Sequence, residues 1–178
     1  INPRPILRLM NDTNVLGNFV PDFKKIIGLI QHDMYHHYTV DEHTFFAISN
    51  AHELKNECLN SGTELARKLI FEIDRFELLT VSLFLHDIAK GLKGDHSING
   101  STISKSLCPR FGLNKDETEI VSWCVLNHLY LSETAFRSEL NDKKIIEKSA
   151  KKINRIEKLN LLFVLTVCDI KAVGPGVW

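Results

Sequence analysis

No stretch of this sequence is apolar for long enough to cross a membrane. The longest run, from Leu161 to Cys168, has eight residues and contains Thr166, against the roughly 20 that a spanning helix needs. Charge of one sign is not in excess either: 22 basic residues face 22 acidic ones. That balance argues against a chain that holds nucleic acid chiefly by neutralising phosphates. Cysteine is scarce. Cys58, Cys108, Cys124 and Cys168 are far apart and form no C-x-x-C pair, which argues against a disulfide-stapled chain. They read as small buried hydrophobes in a reducing compartment. Also missing are strand-like alternation between hairpin turns, internal repeats, low-complexity tracts, and a secretory signal around Pro3, Arg4 and Pro5. A cytoplasmic location is expected, and a chain opening on Ile1 is expected to be part of something longer.

What remains is an ordinary globular composition, 178 residues with 44% apolar and 25% charged, enough for one domain with a sizeable core. The pattern is helical nearly throughout. Four segments have the form of a capping box, in which a cap side chain takes the third amide of a helix and an acid reaches back to the cap. They are Thr39-Val-Asp-Glu42, Ser61-Gly-Thr-Glu64, Asp74-Arg-Phe-Glu77 and Asn114-Lys-Asp-Glu117. Spacing of apolar residues by three and four predicts helices near 22–34, 40–58, 62–72, 75–90, 97–111, 115–131, 142–151 and 156–173. The fold class is all-α.

Three of these helices carry polar residues where apolar ones are expected. Between Phe76 and Ala89 the polar side chains are Glu77, Thr80, Ser82 and the adjacent pair His86 and Asp87. A helix apolar on most sides is buried, so the pair belongs inside. Asp169 interrupts the apolar run that starts at Leu161, and His128 lies in an apolar stretch from Ile120 to Leu131. A buried carboxylate without a partner costs several kcal/mol, on the order of what folding leaves to spare, so proteins pair it or give it a metal. With no Lys or Arg expected to face the core beside them, these residues point to a cation. His43, one turn into its helix, is the best fourth ligand beside His86, Asp87 and Asp169. Imidazole and carboxylate without thiolate suit borderline-to-hard divalent ions such as Mn²⁺, Fe²⁺, Mg²⁺ or Zn²⁺. Two neutral imidazoles and two carboxylates balance a dication and leave positions for water, whose acidity such an ion raises.

The order His43 … His86-Asp87 … Asp169 resembles the signature of the HD superfamily of metal-dependent phosphohydrolases. The words around it are more specific: Gln31-His-Asp-Met-Tyr-His36, Tyr38-Thr-Val-Asp-Glu-His-Thr44, Leu85-His-Asp-Ile-Ala-Lys-Gly91, Gly94-Asp-His-Ser97, Val167-Cys-Asp-Ile170 and Gly174-Pro-Gly-Val-Trp178. Together they are similar to the HD domain of the bifunctional PII uridylyltransferase/uridylyl-removing enzymes. The resemblance implies a single HD-domain helical bundle over residues 22–178, with residues 1–21 a short flank from a preceding linker. It implies hydrolysis of the phosphodiester joining UMP to a tyrosine of the PII nitrogen regulatory protein. The transferase and ACT domains of such a parent chain are not in this sequence. PII is then the partner and UMP the product, with no nucleic acid and no membrane involved.

Within that resemblance His43, His86, Asp87 and Asp169 are the metal ligands. Lys90 is the phosphate clamp, although a lysine before Gly91 also complements a helix dipole. Asp87, or Asp95 if it comes close enough, accepts a proton from water. His96 and His128 either hold a second metal or touch the phosphate; the family usually has two adjacent histidines where this chain has Asn127 and His128. His36 is a further substrate- or phosphate-binding candidate; it, Tyr38 and the pair His32-Asp33 line the cleft or brace the helix that carries His43. His32-Asp33 also spells HD but has polar neighbours, His37 has no assigned role, and His52 is expected to face solvent. Phe45, Phe46, Phe71, Phe84 and Trp123 are expected in the core. The basic stretch 142–158 reads as a solvated helical face, or alternatively a docking patch. Two other functions stay open: an HD phosphohydrolase acting on a free nucleotide, and a non-catalytic metal- or nucleotide-binding regulatory module.

Overall fold

The computed structural model describes residues 2–31, 37–56, 62–139, 141–174, 176 and 178. They form helices α1 (Arg4–Asp12), α2 (Val15–Phe19), α3 (Val40–Asn56), α4 (Glu64–Ile70), α5 (Phe76–Leu85), α6 (His96–Leu107), α7 (Lys115–Asn127), α8 (Tyr130–Arg137), α9 (Lys143–Ile153) and α10 (Ile156–Ala172). Short 3₁₀ turns occupy Pro21–Lys25 and Cys108–Phe111. No strand occurs among the described residues, and the domain is all-α. No described helix is long and apolar enough to cross a membrane.

The centre of the bundle is α10, which packs on α3, α4, α5 and α7, while α6 lies along α7. Leu161, Leu162, Val164 and Leu165 of α10 are buried, which is what an apolar run of that length requires. Phe23 is fully buried and stacks between Phe45 and Phe84, with ring centroids 5.7 and 5.1 Å away. Burying one such ring contributes about 1.5–3 kcal/mol. Cys108, Cys124 and Cys168 are buried free thiols. Burial pushes Cys108 up to about 11 and Cys124 to about 12, so they stay protonated and unreactive. Cys58 lies outside the described residues.

Local signals and observed ends differ in instructive ways. The capping box at Asn114 forms: its side chain accepts from the Glu117 amide at 3.0 Å and the Glu117 carboxylate accepts from the Asn114 amide at 2.9 Å. Glu42 instead pairs with Arg8 at 2.7 Å and Arg4 at 3.4 Å. These charges come from α1, in a segment expected to be only a flank. Asp74 caps nothing, because α5 starts after Arg75 with no side-chain cap. Ser61 is outside the described residues, and Glu64 accepts from the Gly62 amide. Of the helix expected over 22–34, residues 32–34 lie outside the described residues, and the described part is a 3₁₀ turn over Pro21–Lys25 that gives way by Gly28, whose φ of +66° is left-handed. Phe71 is exposed, since α4 ends at Ile70 and that side chain takes the core position. His52 does not simply face solvent; its ring meets Phe76 edge-on with centroids 5.0 Å apart.

Two helices expected to run on stop early, and both stops matter. The helix expected over 75–90 ends at Leu85, and the chain continues in tighter turns with bonds from Ile88 to Leu85 O, Lys90 to Asp87 O and Leu92 to Ala89 O. The helix expected over 115–131 breaks at Asn127 and restarts at Tyr130. His86 and His128 are the residues at those breaks.

Candidate metal centre

Five elements converge on one buried point. The start of α3 is fixed by the Val40 amide donating to Leu29 O at 2.9 Å. The Asp41 carboxylate adds to this by accepting from the Gly28 amide and the Asn11 side chain. That anchoring places His43, which is 1% exposed. Asp169 arrives on α10, where the Asn50 side-chain Nδ2 of α3 donates to Cys168 O at 3.0 Å and ties the two helices beside the site. His86 and Asp87 arrive from the end of α5, His128 from the end of α7, and His96 from the first turn of α6.

The imidazoles are oriented by backbone. His86 Nδ1 lies 2.6 Å from Leu83 O and His128 Nδ1 2.7 Å from Val125 O. A carbonyl can only accept, so Nδ1 carries the proton in both rings and Nε2 is turned inward. This is the arrangement by which a histidine ligand is usually aimed at a metal.

Two groups of inward-facing atoms result: His43, His86 and Asp169, and Asp87, His96 and His128. In the first, His43 Nε2 is 2.8 Å from Asp169 Oδ1 and 3.2 Å from His86 Nε2. In the second, the Nε2 atoms of His96 and His128 are 3.3 Å apart. Asp87, of the second group, also reaches the histidines of the first. Its Oδ2 is 3.2 Å from His86 Nε2 and 3.8 Å from His43 Nε2, and its Oδ1 is 3.7 Å from His128 Nε2 and 3.8 Å from His96 Nε2.

The donor set fits a divalent cation. Imidazole nitrogens this close repel one another unless a proton or a metal ion lies between them. Buried Asp87 has the Lys90 ammonium beside its Oδ2, while its Oδ1 accepts no hydrogen bond from the described residues, and a buried acceptor left so calls for a cation or a water. Electrostatics point the same way. Burial works to raise Asp87 and Asp169, yet the His86 imidazole holds both well below the usual carboxylate range, helped by Lys90 at Asp87 and His43 at Asp169. Burial works to lower His86, but the charges of Asp87 and Asp169 prevail and raise it to about 10. The second group behaves differently: burial lowers His128 to about 4 and also lowers His96, leaving two neutral imidazoles. One group attracts positive charge strongly, and the other is already deprotonated for a ligand.

Lys90 departs from the expectation of no core-facing base beside these acids. On the tightened turn after α5 its Nζ lies 2.6 Å from Asp87 Oδ2 and 3.0 Å from Gln31 Oε1, with 19% of the side chain exposed. Asp95 is exposed, and its carboxylate accepts from the Ser97 and Ile98 amides at 2.8 and 3.1 Å, capping α6. Those two amides hold it below the ordinary carboxylate value. Sequence reading overlooked this cap, although Asp95 stands directly before His96 and helix α6. His36, like His32 and Asp33, lies outside the described residues. Tyr38 stacks on Phe46 with centroids 4.3 Å apart.

A buried His/Asp centre on five helices of an all-α bundle, with adjacent His86 and Asp87 at its middle, defines a class. The HD domain family matches residues 40–169, and the chain belongs to that family of metal-dependent phosphohydrolases. More particularly, it is 49% identical over 177 residues to the bifunctional uridylyltransferase/uridylyl-removing enzyme of Zymomonas mobilis subsp. mobilis. The alignment covers 99% of this chain and 19% of that protein, so the chain spans about a fifth of the relative's length.

Proposed function

We propose that this domain is a divalent-metal phosphodiesterase that removes UMP from a uridylylated tyrosine of a PII protein. The observation that carries the reading is the position of Asp87 between two groups of inward-facing imidazole nitrogens. His43, His86, Asp87 and Asp169 are the residues that would hold the cation, with Mn²⁺ or Mg²⁺ suited to the donors. His96 and His128 would take a second ion or the phosphoryl oxygens. When bound, the cation supplies Lewis acidity and makes water a better nucleophile near neutral pH.

The protein's own groups account for the rest. Lys90 places an ammonium beside Asp87, within reach of equatorial phosphoryl oxygens, where fixed positive charge counters the charge that develops as the diester is attacked. Asp87, kept ionised, is the carboxylate placed to accept a proton from water. Asp95 keeps the first turn of α6 in place and so sets His96. A tyrosine phenol, with a pKa of about 10, leaves without the strong acid catalysis an alkoxide needs. The phosphorus–phenol bond breaks as the water oxygen bonds to phosphorus, giving UMP and free tyrosine. Identity over almost the whole chain to a uridylyl-removing enzyme favours this substrate over a free nucleotide.

The test has two stages. Hydrolysis of bis(p-nitrophenyl) phosphate is measured with and without Mn²⁺, for the wild type and His86→Ala. Metal-dependent turnover lost in the variant supports the enzyme, whereas bound metal with no turnover indicates a regulatory binding module. Release of UMP from uridylylated PII then separates this substrate from free nucleotides.

A further inference from the structure

Lys90 carries the phosphate-facing charge in the reading above, and its position is set by a distant part of the chain. Gln31, 59 residues earlier, accepts a hydrogen bond from Lys90 Nζ through Oε1 at 3.0 Å. Two close approaches deliver that amide. Gly91 lets the turn after α5 pass so near Lys25 that a Cβ would lie 2.5 Å from the Lys25 carbonyl oxygen. Beyond it, the Gly28 amide donates to Asp41 Oδ1 at 3.2 Å and Leu29 O accepts from the Val40 amide at 2.9 Å. The stretch leading to Gln31 is thus pinned against the start of α3, and the turn bearing Lys90 is pinned against the same stretch.

An ammonium has three N–H donors and no acceptor. Asp87 Oδ2 at 2.6 Å takes one and Gln31 Oε1 takes another, which leaves one for an oxygen of the substrate. Because the ammonium can only donate, the amide must face it with Oε1 and turn Nε2 away. That Nε2 is buried and has no acceptor among the described residues. A buried amide donor left so is uncommon and costly. Leucine would fill about the same space with no stranded donor, and glutamate would pair with the ammonium more strongly. Glutamine is the side chain that supplies an acceptor without a charge. With Asp87 already beside Lys90, a second carboxylate would cancel the ammonium's field at the phosphoryl group. A neutral acceptor fixes the direction of the ammonium and leaves its field in place.

We propose that Gln31 is a positioning residue for phosphodiester cleavage that acts through Lys90, its neutral oxygen holding the ammonium where the third N–H meets a phosphoryl oxygen. The proposal rests on the reading above that the domain is a metal-dependent phosphodiesterase with Lys90 as its phosphate clamp. Without the Gln31 acceptor the ammonium settles on Asp87 alone. Displacing a group that stabilises the transition state by an ångström costs up to about 10²-fold in rate, and a loss confined to the transition state appears in kcat rather than KM.

The experiment uses the full chain with Gln31→Leu, Gln31→Glu, Lys90→Ala and the double variant Gln31→Leu/Lys90→Ala. Hydrolysis of bis(p-nitrophenyl) phosphate, Mn²⁺ content and melting temperature are measured for each. Gln31→Leu should lower kcat about tenfold or more, with KM and Mn²⁺ content held and the melting temperature level or higher. Gln31→Glu should lower kcat at least as far, although its oxygen can still accept from Lys90; a merely structural hydrogen bond would survive that change. The glutamate variant carries the test alone if the leucine variant does not fold. In the Lys90→Ala background Gln31→Leu should cost nothing further, since the amide acts through the ammonium. An unchanged kcat in folded Gln31→Leu overturns the proposal and leaves the proposed reaction intact. So does full activity in Gln31→Glu, loss of Mn²⁺ from either single variant at Gln31, or losses that add in the double variant. Wild-type enzyme that binds Mn²⁺ without turnover, or Lys90→Ala with the wild-type kcat, overturns the reading beneath the proposal, and the proposal with it.

Discussion

His86 and His128 are set by one device used twice: each ends a helix and gives its Nδ1 proton to the carbonyl three residues earlier, Leu83 O at 2.6 Å and Val125 O at 2.7 Å. Their rings stand nearly perpendicular with centroids 5.4 Å apart, and the Asp87 carboxylate presents one oxygen to each Nε2. Asp87 is therefore the group on which both halves of the centre depend.

Replacing Asp87 with Asn keeps its volume and removes the charge. Affinity for Mn²⁺ should fall by about 100-fold or more, beyond the loss typical of an outer-shell substitution, and diester hydrolysis should fall with it. Metal analysis of the purified variant and circular dichroism check this; unchanged metal content in a folded variant would exclude the ligand role.

Metal binding should depend on pH in a definite direction. In the metal-free protein His86, raised to about 10, carries a proton at neutral pH, and Nε2 must lose it to bind a cation. Affinity should therefore rise with pH by about tenfold per unit below that value, for one proton displaced. Calorimetric titration at pH 7.5 in two buffers of different ionisation enthalpy should show about one proton released from this group per Mn²⁺.

Lys90→Ala leaves the proposed ligands in place and removes the ammonium beside Asp87. The expected outcome is a kcat lower by about 10²–10³-fold, with Mn²⁺ content maintained. If the metal is lost instead, Lys90 is a structural counter-ion of Asp87.

Asp95→Asn should be close to silent in activity, because asparagine caps a helix as well as aspartate does. Asp95→Ala should lower the melting temperature by several degrees. A severe loss of kcat in the stable Asn variant would restore Asp95 as proton acceptor.

Gly91 has a purely steric role. A Cβ there would lie 2.5 Å from the Lys25 carbonyl oxygen, a backbone atom with no side-chain freedom to yield. Gly91→Ala should cost about 1–3 kcal/mol of stability, read by denaturant unfolding.

The bundle and the candidate centre were legible in the sequence for different reasons. Helices α3 and α10 show through their apolar spacing, and His86, Asp87, His128 and Asp169 stand out because polar residues interrupt apolar faces. The stop of α5 at Leu85 was hidden, since turns bonded from i to i+3 place side chains much as an α-helix does over so few residues. That stop also brings Lys90 round to Asp87. Glu42 was misread because its partners, Arg4 and Arg8, are 38 and 34 residues away, beyond any local pattern. The division of the polar atoms into two groups bridged by Asp87 depends on five helices meeting, which no spacing rule states.

The central claim is that His43, His86, Asp87 and Asp169 clasp one divalent ion. Electron paramagnetic resonance of Mn²⁺ titrated into the purified protein tests it most directly, because free aqueous Mn²⁺ gives a strong signal that binding removes. The account predicts loss of that signal up to at least one Mn²⁺ per chain, and its persistence in Asp169→Asn. Full retention of the free-ion signal with the wild type, or equal binding by the folded variant, would contradict it.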